Sequence, residues 1–216
     1  MKKQYRHLSS TLVAVMFACG AHAAPTTFKD DFRGYREGTP PARNWFTQGG
    51  WTVQRGALLC GEVRQALAVP ADVPYGTAVS LEAKVTPLGA TGSNWKTSGL
   101  AVYWDAKNYW LLCLTEFPGK EDGAKHLIEL NAMVDGVWQA NAQGDTKLEE
   151  WPPLQGATWR TGETYAMRVT TTSEGIRATI ADSTGKRIYE RGYRFKDGVK
   201  AVRAGVPALW NQSFNT

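Results

Sequence analysis

The sequence predicts an all-β fold, an antiparallel sandwich, on two observations. Short segments of alternating apolar and polar residues recur along the 216-residue chain, and no stretch beyond the first 23 residues keeps a helical period. Gly, Pro, Asn and Asp separate these segments, as they do where antiparallel strands are joined by turns. The length is enough for one domain with a sizeable core.

Taken in order, about a dozen segments have the strand pattern. Three of the turns between them, Asp135-Gly136, Glu174-Gly175 and Thr184-Gly185, supply a glycine that tolerates positive φ between two apolar runs. The predicted strands lie near 28–32, 51–60, 64–69, 76–87, 98–104, 109–116, 125–131, 134–141, 163–172, 175–182, 186–191 and 201–209.

Residues 98–116 form the centre of the predicted fold, as two strands joined by a tight turn. Leu100, Val102 and Trp104 fall on one face of the first strand and Tyr103 on the other, because side chains alternate along a strand. A polar break of four residues then closes the hairpin. The second strand is apolar on both faces, so we expect it in the middle of a sheet that is covered on both sides.

The first 23 residues have the pattern of a secretory signal peptide. Three cations precede a short apolar run at 12–18, and small residues lead to a cleavage site after Ala23. The run is shorter than the ~20 residues that a membrane-spanning helix needs. Two alternatives are a buried N-terminal helix and a lipoprotein acylated at Cys19. We therefore expect a periplasmic or secreted protein with one domain at 24–216.

The charge of the chain offers no footprint for nucleic acid. Without the three cations of the leader, 22 Lys and Arg stand against 20 Asp and Glu, a net charge of +2 with no basic run. No nucleic acid is therefore expected among the partners.

Two cysteines, Cys60 and Cys113, lie beyond the leader. Each sits in an apolar strand-like run, so we expect two separate buried thiols that behave as small apolar side chains. A disulfide between them in an oxidising compartment is the alternative, since spacing cannot decide connectivity.

Tryptophan is abundant, with nine residues in the chain. Trp51, Trp104 and Trp110 lie in strand patterns, and we expect them in the core. Trp95 and Trp151 lie in two segments that we predict to be long loops, near 87–97 and 143–162, and long loops in compact domains are often functional.

The chain ends directly after the last predicted strand. Either that strand is short, or the sequence is a fragment of a longer protein and the domain is truncated at its C-terminal end.

An ordered set of motifs gives the chain a family resemblance. The set is similar to the concanavalin A-like lectin/glucanase superfamily, and within it to laminin-G-like and 3-keto-disaccharide-hydrolase-like exported bacterial domains. The resemblance spans about residues 28 to 214 and implies a jelly-roll sandwich of two curved sheets. A Phe-Asp close of such domains is missing here. The motifs are Asp30-Asp31-Phe32, Gly50-Trp51-Thr52-Val53, Gly56-Ala57-Leu58, Ser98-Gly99-Leu100-Ala101-Val102 with Asp105, Asn108-Tyr109-Trp110, the run 159–169 and Ala204-Gly205-Val206.

Catalytic residues are harder to find. Glycosidases use two carboxylates that flank the scissile bond, and the Glu-x-Asp-x-x-Glu motif of the glucanase branch is absent. Glu129 is the one acid that we place on a sheet face near the centre, as a weak catalytic candidate. Its alternative role is to pair with a cation across strands.

Residues that could bind a metal ion are also few. His126 is the only histidine beyond the leader, so a multi-His zinc site cannot form. No cofactor is expected, apart from a structural calcium of the kind that related sandwiches carry. Asp30 and Asp31 could supply hard oxygen ligands for it. An ordinary charged edge is the alternative.

The residues that favour a ligand are aromatic and planar polar side chains. Sugars stack their C–H faces on aromatic rings and need neighbouring hydrogen-bonding groups. We therefore predict that an oligosaccharide or polysaccharide contacts the six residues Trp95, Tyr103, Asn131, Gln139, Trp151 and Arg168.

Three functions are compatible with these patterns. The first is an exported domain that binds glycan without cleaving it. The second is a glycoside hydrolase or keto-sugar hydrolase of the same superfamily, and the third is a structural or interaction domain.

Overall fold

A computed structural model describes residues 13–17, 27–61, 64–90, 95–118, 125–139, 149–154 and 158–216. All regular secondary structure in these ranges is β, which confirms the predicted fold class. The strands are β1 (Val13–Phe17), β2 (Thr27–Asp30), β3 (Trp45–Gln48), β4 (Trp51–Gln54), β5 (Ala57–Cys60), β6 (Ala66–Pro70), β7 (Val79–Val85), β8 (Gly89–Ala90), β9 (Lys96–Asp105), β10 (Asn108–Phe117), β11 (Lys125–Val134), β12 (Val137–Gln139), β13 (Glu149–Leu154), β14 (Tyr165–Thr171), β15 (Gly175–Ala181), β16 (Arg187–Arg194), β17 (Val206–Gln212) and β18 (Phe214–Asn215).

Two seven-stranded antiparallel sheets make up the sandwich. Sheet A has the strand order β13-β16-β15-β14-β7-β1-β2, and sheet B has the order β12-β11-β10-β9-β17-β6-β3. Two small pairs, β4 with β5 and β8 with β18, accompany them.

The main core fills the space between the sheets. In sheet A, Val169 pairs in register with Leu81 on β7 and Ala178 on β15, and all three side chains are buried. One contact between the sheets joins the stacked rings of Trp110 and Tyr193, whose centroids are 5.7 Å apart. Such cores form because apolar side chains that alternate along each strand share one face.

The central hairpin forms as predicted. β9 ends at Asp105 and β10 begins at Asn108, and eight of their nine residue pairs, from Tyr109 to Glu116 on β10, keep one continuous register. β10 lies between β9 and β11, and its residues from Tyr109 to Glu116 are buried. The second strand of the hairpin is thus covered on both faces, as its sequence predicts.

The segment at 13–17 forms a strand of sheet A. β1 pairs with β2 on one side and β7 on the other, with Val15 opposite Phe28 and Leu81. Cleavage after Ala23 would remove this strand and leave β2 and β7 without the neighbour that joins them.

Three expectations need correction. Trp104 is not a core residue, because it is 46 % exposed at the end of β9, where its ring meets that of Tyr75 edge-on at 5.0 Å. The predicted loop at 143–162 contains β13, which pairs with β16 at the edge of sheet A. Trp151 therefore lies on an edge strand, opposite Gly192, rather than in a loop.

The two cysteines are buried thiols, as expected from their apolar runs. In the part of the chain described by the structure, no helix is long and apolar enough to cross a membrane.

Candidate functional site

The outer face of sheet B, turned away from the main core, carries a second apolar cluster. It forms because the central strands are apolar on both faces, so the side chains that alternate with the core residues gather on the opposite side. The buried members are Leu67, Ala101, Tyr109, Leu111, Cys113, Ala208 and Trp210, and Val69, Tyr103 and Met133 pack against them. We call this surface the outer face of sheet B.

Tyr109 is the centre of an aromatic group on this face. Its ring lies 5.0 Å from Trp210, 6.3 Å from Tyr103 in a stacked arrangement, and 6.5 Å from Trp138. Four strands bring these rings together, since Tyr103 is on β9, Tyr109 on β10, Trp138 on β12 and Trp210 on β17. The indole N–H of Trp210 donates to Thr97 Oγ1 at 3.0 Å, which fixes that ring.

Access to the aromatic group comes from one side. Tyr109 and Trp210 are 3 % exposed, Tyr103 is half-buried and Trp138 is 44 % exposed. The group therefore has a fixed base of two buried rings and a rim of two rings that solvent reaches.

The phenols of this group are held neutral. Burial raises the pKa of Tyr109 to about 12, and it raises the pKa of Tyr103 as well. Because the charged form of a phenol is disfavoured by removal from water, both hydroxyls stay protonated near neutral pH.

A polar strip runs beside the aromatic group. Asn131, which is 1 % exposed, donates its side-chain N–H to Cys113 Sγ at 3.8 Å, and that sulfur lies 3.3 Å from Thr115 Oγ1. Burial also raises the pKa of the Cys113 thiol, so it stays protonated. Glu129 is half-buried and lies opposite Cys113 in the register.

A second aromatic pair lies at the far end of the same face. Phe117 shares the alternation of Tyr109 along β10, and its ring centroid is 4.6 Å from that of Trp95. Trp95 is 46 % exposed. Eight residues separate Phe117 from Tyr109, which corresponds to roughly 27 Å along an extended strand.

The structure brings together four of the residues singled out in the sequence. Trp95, Tyr103, Glu129 and Asn131 all lie on the outer face of sheet B.

The other three candidates are elsewhere. Gln139 pairs in register with Ala132, a core residue, so its buried side chain is on the inner face. Arg168 lies on β14 in sheet A and is exposed there, and Trp151 is on β13 of the same sheet. None of the three can act together with Tyr103.

Sequence reasoning missed the residues at the centre of the site, Tyr109, Trp138 and Trp210. Alternation along the second strand of the hairpin puts Tyr109 and Trp110 on different faces of the sheet, so the face of Tyr109 could be predicted. The neighbour relations of β12 and β17 depend on long-range pairing, and no local pattern signals them.

Asp30 and Asp31 were expected to offer oxygens to a calcium ion. Asp30 Oδ1 accepts the Phe32 N–H at 2.8 Å, and Asp30 Oδ2 accepts the Trp45 indole N–H at 2.8 Å and the Tyr35 hydroxyl at 2.5 Å. Asp31 accepts the backbone N–H of Arg33. These donors occupy the lone pairs that calcium would use, so the arrangement fits an anchor for the N-terminal turn better than a cation site.

A buried ionisable cluster lies at the end of sheet B near Trp159. Glu116 accepts from Lys96 Nζ at 2.8 Å, and its other oxygen is 3.3 Å from His126 Nε2. Both carboxylate oxygens are thus engaged, which suits a structural role. Among the described residues, no group of three or more His, Cys, Asp or Glu is placed to hold a metal ion.

Comparison with known proteins finds no matching family model and no matching curated protein. Solved structures with some similarity include two of the GH43 protein BlXynB from Bacillus licheniformis, one of them a mutant. Their identities are 12 % and 11 %, their TM-scores 0.44 and 0.42, and the matches cover 82 % and 78 % of this chain. They cover 33 % and 36 % of the BlXynB chains, so this chain spans about a third of their length.

A third similar structure is domain 4 of AbnA, a GH43 extracellular arabinanase from Geobacillus stearothermophilus, in complex with arabinotriose. It has 12 % identity and a TM-score of 0.33, over 80 % of this chain and 84 % of that domain. At TM-scores below 0.5, these likenesses assign neither a family nor a function to the chain.

Proposed function

We propose that the outer face of sheet B binds an extended, uncharged oligosaccharide or polysaccharide without cleaving it. The observation that carries this proposal is the aromatic group around Tyr109, which lies on the sheet face opposite the core with Trp138 and Tyr103 reachable from solvent. Sugar rings present apolar C–H faces that stack on such rings, and large exposed aromatic surfaces on a folded protein mark sites of interaction.

The chemistry of the face favours an uncharged ligand. The two phenols stay neutral, and the charged groups that act on Tyr103 and Cys113 are the carboxylates of Asp105 and Glu129, which would repel an anionic sugar. Thr97, which is half-buried, offers a hydroxyl group of the kind that recognises sugar hydroxyls.

The surroundings of Glu129 support binding without cleavage. Hydrolysis of a glycosidic bond requires two carboxyl groups that flank it. On β10, the described residues nearest Glu129 on this face are Leu111, Cys113 and Thr115, which carry no carboxylate.

A glycan array combined with a reducing-sugar release assay tests this function. We expect retention on at least one neutral glycan and no release of reducing ends from it. Release of reducing ends would show that the protein hydrolyses the glycan and would contradict binding without cleavage. The absence of any bound glycan would contradict the proposal as a whole.

We also infer that the chain is an exported member of the concanavalin A-like superfamily, with the leader at 1–23 removed. The motif order and the basic, apolar and small-residue regions of the leader support this proposal. N-terminal sequencing of exported protein should begin at Ala24. A mature protein that still starts at Met1 would contradict it.

A further inference from the structure

An apolar cavity of about 160 Å³ lies between the two sheets, beneath the β4–β5 hairpin. Sheet A contributes Val85, sheet B contributes Leu209, and the hairpin closes the cavity with Trp51 and Leu58. Leu88, which is 49 % exposed, lies where the cavity meets solvent. The cavity is separate from the aromatic rim of the outer face.

The hydroxyl groups of the lining already have partners. Ser98 Oγ lies 2.8 Å from Thr216 Oγ1, and Thr86 Oγ1 lies 2.8 Å from Thr164 Oγ1. They therefore hold the walls together and do not demand a ligand.

The two indoles of the lining differ. Trp210 donates its N–H to Thr97, whereas Trp51 Nε1 is buried and has no hydrogen-bond partner within the described ranges. Trp51 itself is 3 % exposed. An unpaired buried donor is rare in folded proteins and needs an explanation, for which an absent acceptor is the simplest.

The size and charge of the cavity limit which molecules can supply the missing acceptor. An engineered apolar cavity of about 150 Å³ binds benzene, so this cavity has room for one small ring. Lys84 alternates with Ala83 and Val85 along β7, and this alternation directs its side chain to the outer face of sheet A. The cavity thus offers apolar walls and one N–H donor, without a charge to neutralise an ion.

We propose that this cavity binds a small uncharged aromatic compound that carries one carbonyl oxygen. The ring fills the space between Val85, Leu58 and Leu209, and the oxygen accepts the Trp51 indole N–H. This site does not depend on the glycan proposal, although Trp210 both lines the cavity and belongs to the aromatic group of the outer face.

Acetophenone and ethylbenzene form a matched pair of probes, because they have nearly the same size and only acetophenone has a carbonyl. We expect acetophenone to bind about tenfold more tightly, the effect of one buried hydrogen bond. It should also shift the Trp51 indole N–H resonance, which is assigned by its loss in Trp51→Phe.

Two variants sharpen the test. Trp51→Phe keeps a ring and removes the donor, so it should bind both probes equally. Trp104→Phe makes the same change outside the cavity and should bind as the wild type does. Equal affinity of the wild-type protein for both probes would overturn the proposal, as would no binding of either. Both outcomes are read on the wild type and stand even if Trp51→Phe fails to fold.

Discussion

The imidazole of His126 lies flat on the indole of Trp159, with ring centroids 3.8 Å apart and planes 7° apart. The same histidine donates its Nδ1–H to the Trp159 carbonyl oxygen at 2.8 Å and faces Glu116 through Nε2. Lys96, Glu116 and His126 occupy one register row across β9, β10 and β11. The row closes one end of the sandwich with a buried ionic network rather than with apolar side chains.

Breaking this network should be costly. The side chains of Lys96 and Glu116 are 6 % and 12 % exposed. Lys96→Met leaves a buried carboxylate without its cation, and we expect a loss of about 3 kcal/mol in the free energy of unfolding. Urea denaturation followed by fluorescence measures it.

Controls separate this effect from a general loss of charge. Lys200→Met removes a cation from an exposed pair with Asp135 and should leave the denaturation midpoint unchanged. The double variant Lys96→Met/Glu116→Leu should lose less free energy of unfolding than the two single variants lose together, because no unpaired charge stays behind. Strict additivity would show that the two residues do not interact.

The ionic row illustrates what the sequence could predict. Alternation correctly predicted that Leu100 and Val102 share one face of the first hairpin strand and Tyr103 lies on the other, whereas Lys96 was expected in a loop. The position of Trp104 was wrong for a physical reason. At the end of β9 its ring meets Tyr75 and stays 46 % exposed, and local alternation carries no information about what covers the end of a strand.

Two other errors have a related origin. The Pro-Pro pair after Trp151 indicated a loop, yet an edge strand tolerates proline because one row of its N–H groups has no partner. Gln139 and Arg168 are polar residues at strand positions, which is why they were predicted to contact a ligand. Which sheet and which face they occupy depends on pairings between distant segments.

Gly99 permits the close approach of β9 and β10. A Cβ atom at this position would overlap the backbone carbonyl oxygen of Leu112. Gly99→Ala should therefore lower the free energy of unfolding by about 1–3 kcal/mol, the usual cost of overpacking a core. Gly34→Ala is the control, since nothing lies within 4 Å of its added carbon. Equal melting temperatures for the two variants would refute the close approach.

The fold should lose stability in alkali. The pKa of Tyr109 is 10.0 in a model compound and about 12 in the folded protein. A raised pKa means that the folded state holds the proton more tightly than the unfolded state does. The resulting contribution to the free energy of unfolding is complete below pH 10 and is lost as the pH rises towards 12. Its size is on the order of 2 kcal/mol.

Denaturation curves from pH 8 to pH 12 measure this loss. Tyr109→Phe should reduce it, because the residue no longer titrates. Tyr75→Phe changes a ring that is 54 % exposed and should reproduce the wild-type curve. An unchanged alkaline loss in Tyr109→Phe would contradict the assignment.

Trp95 should matter for long glycans only. It lies at the far end of the outer face, roughly 27 Å from the group around Tyr109. We expect Trp95→Ala to weaken binding of a polysaccharide while the affinity for a short oligosaccharide stays constant. Titration calorimetry with a size series checks this, and equal losses at every chain length would place Trp95 in the same subsite as Trp138.

The most direct test of glycan binding compares two tryptophans of equal exposure. Trp138 is 44 % exposed within the aromatic group, and Trp104 is 46 % exposed at the end of β9 beside Tyr75. Truncation of either should change the melting temperature little. On affinity gels that contain the glycan retained by the wild type, Trp138→Ala should lose at least about tenfold in affinity, or about 1.4 kcal/mol, and Trp104→Ala should lose nothing. Full retention of Trp138→Ala, or an equal loss in both variants, would contradict binding at the outer face of sheet B.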